Sequence, residues 1–169
     1  MHEFDKSSET VLVRKARHGD VKAFSELYGR IYKELYKFAL YTMKNTQDAE
    51  DVVSEAVISA YENIKQLKKE ESFRNWIFTI LANRCRRKFQ TQKQAEELPE
   101  DMAVDQKLEE VCDVRGAFQK LEAEDRLILA CSVLGGYASE EIGKILDMNP
   151  ATVRSRKSRA MGKMRQMLE

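Results

Sequence analysis

The most constraining feature of the sequence is an Asn-Pro pair between two short amphipathic stretches near the C-terminal end. Asn149 is a favourable N-cap, and Pro150 suits the first position of a helix, where no backbone N–H is needed. Before the pair, Ile142, Ile145 and Leu146 recur at helical spacing. We therefore predict a helix, a tight turn and a second helix, the arrangement that lays a second helix in the major groove of DNA.

The second of these helices has an apolar side and a basic side. The residues expected to pack on the first helix are Val153, Ala160, Met164 and Met167. The predicted DNA-contacting residues are Thr152, Arg154, Ser155, Arg156, Ser158, Arg159 and Lys163. Arginine pairs bidentately with guanine, and serine can bond to bases or phosphates. Arg156 and Lys163 lie at the flanks and are better placed for phosphates, which position a protein without specifying sequence.

An amphipathic helix pair with a solvated basic side is the alternative interpretation. Ser139 is expected to cap the first helix, and Glu140 and Glu141 follow it, where the helix dipole favours negative charge. These features are typical of any short helix and do not distinguish the two interpretations. The Asn-Pro joint and the density of arginine favour DNA binding.

Composition indicates an all-α protein. Charged residues make up 34% of the chain and hydrophobic residues 43%, with only seven Gly and two Pro. Apolar periodicity predicts further helices at about 9–18, 20–43, 48–67 and 73–90, and a helical pair over 115–134 with an acidic joint at 122–125. The net charge of +1 is low for a nucleic-acid binder, but basic residues are concentrated in 84–93 and 154–165.

The segment 91–113 is polar, acidic and contains Pro99, so it is predicted to be a linker. We expect two small helical domains, residues 1–90 and 114–169, on either side of it. The three cysteines are far apart and form no C-x-x-C pair, which indicates reduced thiols in a cytoplasmic protein rather than a zinc site. We expect no cofactor, no metal, no membrane insertion and no catalytic centre, since neither a bilayer-length apolar run nor a nucleophile with its base is present.

One side of the predicted helix 48–67 carries a row of acids. The row consists of Asp48, Asp51, Glu55 and Glu62, with the apolar residue Ile58 among them. Charge runs of this kind are commonly solvated surfaces. The same row could instead dock on a basic helix of a partner, with Ile58 as the apolar anchor.

The predicted helix 73–90 follows a charged loop over 65–71 and a capping Ser72, and also has two sides. Its polar side carries Asn75, Thr79, Asn83, Arg84, Arg86 and Arg87, which can bond to bases and phosphates. Trp76 and Phe78 could alternatively stack on unpaired bases. Trp76 lies on the apolar side with Phe73 and Ile77, so we expect it in the core. Phe78 falls away from that side, and its role stays open.

Taken together, these blocks resemble an extracytoplasmic-function sigma factor of bacterial RNA polymerase. The matching blocks are GDVKAFSELYGRIYKELYKFA, DAEDVVSEAVISAY, SFRNWIFTILANR, LEAEDRLILACSVLGGYASEEIGKIL and NPATVRSRKSRA, in that order. The resemblance covers nearly the whole chain, from about residue 9 to 168. A helix-turn-helix alone is common among regulators, whereas this order and spacing of blocks is specific.

The resemblance implies roles that spacing alone does not. It implies that the DAED helix binds the clamp coiled coil of the polymerase β′ subunit through Asp48, Asp51, Glu55 and Ile58. It implies that the FRNWIFTILANR helix, with the loop before it, reads and opens the promoter −10 element, and that the last helix reads the −35 element. It further implies contact with the polymerase β flap, an acidic linker in the polymerase channels and an anti-sigma factor as a partner.

Five positions depart from the common family pattern: Ser54, Lys157, Ser158 and the pair Met161-Gly162. They bear on the −35 sequence and on the strength of contact, not on the class. The principal rival is a stand-alone transcriptional regulator whose first domain senses a ligand or forms a dimer. A helical enzyme is a more distant alternative.

Overall fold

The computed structural model describes residues 6–95 and 113–169. These two ranges form eight α-helices and contain no strand, which confirms the all-α prediction. The helices are α1 (Lys6–Arg17), α2 (Val21–Thr42), α3 (Thr46–Asn63), α4 (Phe73–Ala95), α5 (Val114–Lys120), α6 (Ala123–Val133), α7 (Ser139–Leu146) and α8 (Pro150–Leu168). Two short 3₁₀ turns, Ile64–Gln66 and Glu70–Ser72, join α3 to α4.

Local capping accounts for several of the helix starts. Asp20 caps α2 by accepting from the Ala23 N–H at 3.2 Å. Asn45 caps α3 by accepting from the Asp48 N–H at 2.8 Å. Before α2 the chain turns at Gly19, whose φ of +95° is readily adopted only by glycine. The sequence predicts a cap at Asp20 for α2 and at either Asn45 or Thr46 for α3, and the structure has Asp20 and Asn45.

Two predicted boundaries are wrong. Helix α3 ends at Asn63 rather than at residue 67, and the Asn63 side chain bonds back to the Ser59 carbonyl at 2.8 Å. Ser72, the predicted cap of α4, is the last residue of a 3₁₀ turn and directly precedes α4. Helix α4 runs to Ala95 rather than residue 90, and its last turns are tied to α3 because Gln92 donates to Asp48 at 2.7 Å. Of the predicted linker, residues 91–95 are helical and 96–112 lie outside the described residues.

The N-terminal helices pack around α2. Its buried stripe consists of Ala23, Phe24, Leu27, Ile31, Leu35, Phe38 and Ala39. Small residues of α3, such as Ala49, Ala56 and Ala60, are fully buried and let that helix approach closely. Each large side chain removed from water here contributes roughly 1.5–3 kcal/mol to folding, so this stripe holds α1 to α4 together.

The last two helices form the predicted helix-turn-helix. The Met148 N–H donates to the Gly143 carbonyl at 2.8 Å, and Asp147 takes a left-handed conformation with φ 53° to make the turn. Asn149 then caps α8 and Pro150 occupies its first turn, as predicted. Ser139 is not the cap of α7. Ala138 takes that position, and its N–H donates to the Glu141 carboxylate at 3.0 Å.

The C-terminal helices also pack against α2 and α4, so the two helical domains share one continuous core. Phe78 of α4 meets the Tyr137 ring edge-on at a centroid distance of 6.5 Å, and Tyr41 of α2 meets Phe118 at 5.2 Å. The prediction of an acidic joint between two helices at 122–125 is partly wrong. The break lies at residues 121–122, and Asp125 is inside α6 and buried.

Candidate nucleic-acid interface

Helix α8 presents its predicted polar side to solvent. Val153, Ala160 and Met164 are buried, which fixes the rotation of the helix. The exposed residues are Thr152, Arg154, Ser155, Ser158, Arg159 and Lys163, while Arg156 is only half-exposed. A shallow groove along this side is lined by Ser139, Arg154, Lys157, Ser158, Met161, Gly162 and Arg165. An exposed basic helix of this form can enter the DNA major groove.

Two arginines of α8 already have carboxylate partners. Arg154 pairs with Glu140 of α7 at 3.0 Å, and both side chains are largely exposed. Arg156 lies between two acids of α6, at 3.5 Å from Glu124 and 3.3 Å from Asp125. Exposed pairs are weak, so Arg154 can exchange its partner for a phosphate or base easily. Arg156 is more enclosed and exchanges at a higher cost.

The polar side of α4 is brought together only in part. Asn75, Asn83 and Arg87 are exposed, and Thr79 and Arg84 are half-exposed. The Thr79 hydroxyl donates to the Asn75 carbonyl at 2.7 Å, and the Asn83 amide donates to the Thr79 carbonyl at 3.0 Å. These side chains are therefore held against their own helix, although the exposed Asn83 side chain keeps its carbonyl oxygen and a second N–H for a base.

Arg86 differs from the other predicted residues of α4. Its guanidinium donates to the Leu146 carbonyl at the end of α7 and to Glu124 of α6 at 3.3 Å. Arg86, to which the family resemblance gave a −10 DNA role, thus binds the C-terminal domain. In this arrangement Arg86 is turned toward the protein rather than toward a nucleic acid.

The two aromatic residues of α4 have different surroundings. Trp76 is half-buried beside Phe73, as expected of a core residue. Phe78 is 2% exposed and packs between Phe38 of α2 and Tyr137 of the C-terminal domain. Stacking of Phe78 on an unpaired base, one of the two open interpretations, is therefore wrong for this conformation. Helix α4 is buried on two sides, and the second side is invisible to a pattern with one apolar face.

The segment before α4 is tied to the first helix. Glu70 pairs with Arg14 at 3.0 Å and lies 3.7 Å from Arg17. The hydrogen bond from Arg14 holds the pKa of the Glu70 carboxyl below its usual range. The predicted loop is therefore not a free charged loop but two short turns fixed on α1, which gives a stable edge beside the polar side of α4.

The acidic row of α3 lies at the surface. Asp51, Glu55 and Glu62 are exposed, and Ile58 exposes 57% of its surface, a high value for an isoleucine. Asp48 is more enclosed. The Lys88 ammonium of α4 forms ion pairs with both Asp48, at 3.6 Å, and Asp51, at 3.3 Å. Burial lowers the pKa of Lys88, but the two carboxylates outweigh it and raise the pKa.

Sequence reasoning missed the residues that join the two domains. Arg126 of α6 is 3% exposed; its guanidinium donates to the Thr42 carbonyl of α2 at 2.8 Å and to the Leu121 carbonyl at 2.6 Å. The same group lies 5.4 Å from the centre of the Phe89 ring of α4. Burial lowers its pKa. One signal was available: Phe78, Ala82, Cys85 and Phe89 recur at helical spacing and form a second apolar stripe on α4.

Residues 6–95 and 113–169 contain neither a metal-binding cluster nor a membrane-spanning helix. No group of three or more His, Cys, Asp or Glu side chains there is placed to hold a metal ion. No helix in those ranges combines the length and apolarity needed to cross a membrane. The thiols of Cys85 and Cys131 are free and buried.

Comparison with known families and proteins gives matches at both ends of the chain. A family described as Sigma-70 region 2 matches residues 27–95, and one described as Sigma-70, region 4 matches residues 113–164. The ECF RNA polymerase sigma factor SigM of Mycobacterium tuberculosis is 26% identical over 155 residues, covering 89% of this chain and 79% of that protein. SigW of Bacillus subtilis is 27% identical over 179 residues, covering 92% and 94%.

Solved structures share the fold. CnrH in complex with the cytosolic domain of CnrY matches with a TM-score of 0.68 at 22% identity, covering 95% of this chain and 97% of that one. The sigma factor RpoE in complex with the anti-sigma factor NepR, from Bartonella quintana, also matches with a TM-score of 0.68, at 23% identity and covering 88% and 98%.

Proposed function

The chain belongs to the sigma-70 family of RNA polymerase sigma factors, in its extracytoplasmic-function group, and from this premise we propose how its surfaces divide the work of initiation. It is a transcription initiation factor whose partners are RNA polymerase and promoter DNA. The observation that carries the proposal is the order of the two family matches along one chain, the first containing the exposed surfaces of α3 and α4 and the second that of α8. The corresponding functional units are residues 1–90, the segment 91–113 and residues 114–169.

Helix α3 is the polymerase-binding surface in this proposal. Asp48, Asp51, Glu55 and Ile58 would bind the clamp coiled coil of the β′ subunit. The exposure of Ile58 supports this role, because an apolar side chain among acids gives a basic partner helix both a charge match and a buried anchor. Lys88 would keep Asp48 and Asp51 in place until the partner arrives.

Helix α4 is the −10 surface. Asn75, Thr79, Asn83, Arg84, Arg86 and Arg87 would contact the melted strand, together with the turns before α4. Asn75, Asn83 and Arg87 are exposed along one side, which supports contact with a strand that follows the helix. Amide side chains can hydrogen-bond to the edges of unpaired bases, and arginines to the phosphates between them.

Helix α8 is the −35 surface. Arg154, Ser155, Ser158 and Arg159 would meet base edges in the major groove, and Thr152, Arg156 and Lys163 would contact phosphates. The capped start of α8 supports this role, since the N-terminal half of a recognition helix must approach the bases closely. The β flap of polymerase would contact this C-terminal domain.

The chain would act by binding alone, without catalysis and without a cofactor, in the bacterial cytoplasm. The solved relative from Bartonella quintana is in complex with an anti-sigma factor. By analogy, a partner of that kind would restrain this chain as well, and it would do so without insertion of this chain into a membrane.

Run-off transcription tests the proposal. Purified chain is added to core RNA polymerase on promoter fragments from the operon that encodes it. The expected result is a discrete transcript that requires both the chain and the core enzyme. Absence of any transcript, together with dimeric binding to a two-fold symmetric site without polymerase, would contradict the proposal and favour a stand-alone regulator.

A further inference from the structure

A strongly basic edge lies beside the start of α4, where α1 packs against the turns that join α3 to α4. We define the basic edge by its cations, which are Arg14, Arg17, Lys65, Lys68 and Lys69. The turn Glu70–Ser72 runs directly into α4, and Asn75 of the proposed −10 surface follows in the first turn of that helix. The basic edge therefore continues the proposed −10 surface past the N-terminal end of α4.

One carboxylate holds both arginines of the edge in place. The Arg14 Nε and Nη2 groups donate to the two oxygens of Glu70 at 3.1 and 3.0 Å, and Arg17 Nη1 lies 3.7 Å from the same carboxylate. The Glu70 side chain is only 18% exposed, whereas that of Arg14 is 59% exposed. The guanidinium rather than the carboxylate therefore forms the outer surface, and its remaining N–H groups are free to bind an anion.

The chemistry of the edge fits the phosphates of a nucleic-acid strand. The planar guanidinium matches a phosphate bidentately, and a guanidinium already held by a carboxylate loses less freedom when it binds. A strand that follows the polar side of α4 carries its phosphates past Asn75 and onto this edge. The family match to region 2 begins at residue 27, so it assigns no role to α1.

We propose that Arg14 and Arg17 of α1 bind phosphates of the unpaired −10 strand where it passes the N-terminal end of α4, with Glu70 as the positioning residue for both. The inference rests on the proposed function, because it takes the −10 strand to lie along α4. Phosphate contacts of this kind fix the path of the strand and add no preference for a base. Helix α1 is thereby part of the DNA surface.

The first test measures how many phosphates the full chain neutralises on a single strand. Binding to fluorescein-labelled oligothymidylate of about 20 nucleotides is followed by anisotropy over a range of salt concentrations. The double variant Arg14→Gln/Arg17→Gln is expected to lower the slope of log K against log salt by about 1.4, or about 0.7 per phosphate on a single strand. The matched control, Lys33→Gln/Lys37→Gln, removes the same charge from exposed positions of α2 and is expected to leave the slope unchanged.

The second test locates the phosphates in the holoenzyme. Each phosphate of the non-template strand in the −10 region is replaced in turn by an uncharged methylphosphonate, on the promoter fragment used for run-off transcription. With the wild-type chain, replacement at a short run of adjacent positions is expected to weaken binding by about tenfold. With Arg14→Gln/Arg17→Gln the same replacements are expected to cost nothing further, whereas the Lys33→Gln/Lys37→Gln control keeps the wild-type profile.

A purely structural role for the ion pairs with Glu70 gives a different result. Loosening of the turns would weaken binding to every template by one factor and leave the dependence on phosphate position intact. Glu70→Ala tests the positioning role, because it keeps both positive charges of α1. Its salt slope on oligothymidylate is expected to stay near that of the wild type, while the tenfold loss at the marked phosphates is reduced.

The outcomes separate this inference from the proposed function. If Arg14→Gln/Arg17→Gln lowers the salt slope no more than Lys33→Gln/Lys37→Gln does, the phosphate site is wrong, whatever the run-off assay shows. Methylphosphonate losses that are the same with and without the two arginines would also overturn it. Loss of binding to a polyglutamate peptide with no change on oligothymidylate would mean that the edge binds acidic protein instead. If the slope falls as expected but no promoter-dependent transcript forms with core polymerase, the phosphate site stands and the proposed function fails.

Discussion

The turn of the helix-turn-helix gives a prediction in which two opposing effects can be weighed. Gly143 lies inside α7, where alanine is ordinarily favoured over glycine by about 1 kcal/mol. A Cβ added at Gly143 would lie 2.7 Å from the Met148 carbonyl oxygen and 3.4 Å from the Pro150 ring. The first contact is with backbone, so the turn itself must move.

The cost of that movement exceeds the gain in helix propensity. Overpacking of a close-packed site costs about 1–3 kcal/mol. Displacing Met148 also weakens its 2.8 Å hydrogen bond to the Gly143 carbonyl, at about 1 kcal/mol. After subtracting about 1 kcal/mol for helix propensity, Gly143→Ala is expected to lower the free energy of unfolding by about 1–3 kcal/mol.

The assay is urea unfolding followed by circular dichroism, with two matched controls. Gly162 of α8 and Gly29 of α2 are also helical, but a Cβ at either meets nothing within 4 Å. Gly162→Ala and Gly29→Ala are therefore expected to raise the free energy of unfolding by up to about 1 kcal/mol each. If Gly143→Ala raises it as the controls do, the description of the turn as sterically closed is refuted.

Three further predictions concern single residues. Asp51→Lys is expected to weaken the affinity for core polymerase while leaving the circular dichroism spectrum unchanged, with Glu50→Lys on the same helix as the control; equal affinities for the two variants would rule out the acidic row as the docking surface. Arg159→Ala is expected to cost about 1–3 kcal/mol of discrimination at one −35 base pair, measured by competition between promoter variants; an equal loss on every sequence would mean that Arg159 contacts only phosphate. Burial raises the pKa of the Cys131 thiol to about 12 from 9.0. The unfolded thiol ionises first, so this group's contribution to stability is complete below pH 9 and is lost as pH rises toward 12; urea midpoints of wild type and Cys131→Ala that fall in parallel over this range would contradict it.

The sequence predicted the helices and the two-part order because both depend on local patterns. Asp20, Asn149 and Pro150 are caps or first-turn residues whose effect is confined to a few neighbours, and they act as predicted; Asn45 is one of the two caps predicted for α3. The exposed side of α8 also followed from periodicity, since Val153, Ala160 and Met164 fix its rotation. The second apolar stripe on α4 would in the same way have predicted that Phe78 is buried.

The relation between the two domains could not be predicted in the same way. Glu124 and Asp125 were predicted to belong to an acidic joint, and no local pattern marks the neighbouring Arg126 as buried. Glu124 pairs with Arg86 of the N-terminal domain, and the buried Arg126 donates to the Thr42 carbonyl; these contacts join residues 38 and 84 positions apart in the sequence. Periodicity carries no information on such contacts, so the binding of Arg86 to the C-terminal domain was found only in the structure.

The central claim is that α4 and α8 read two separate segments of one promoter while α3 holds polymerase. A photo-crosslinking amino acid placed at Asn83 in one variant and at Ser158 in another tests it directly, in holoenzyme bound to a promoter fragment. The account predicts crosslinks from position 83 to the melted −10 strand and from position 158 to the upstream −35 duplex. Crosslinks from both positions to one segment, or DNA crosslinks that form equally well without core polymerase, would contradict it.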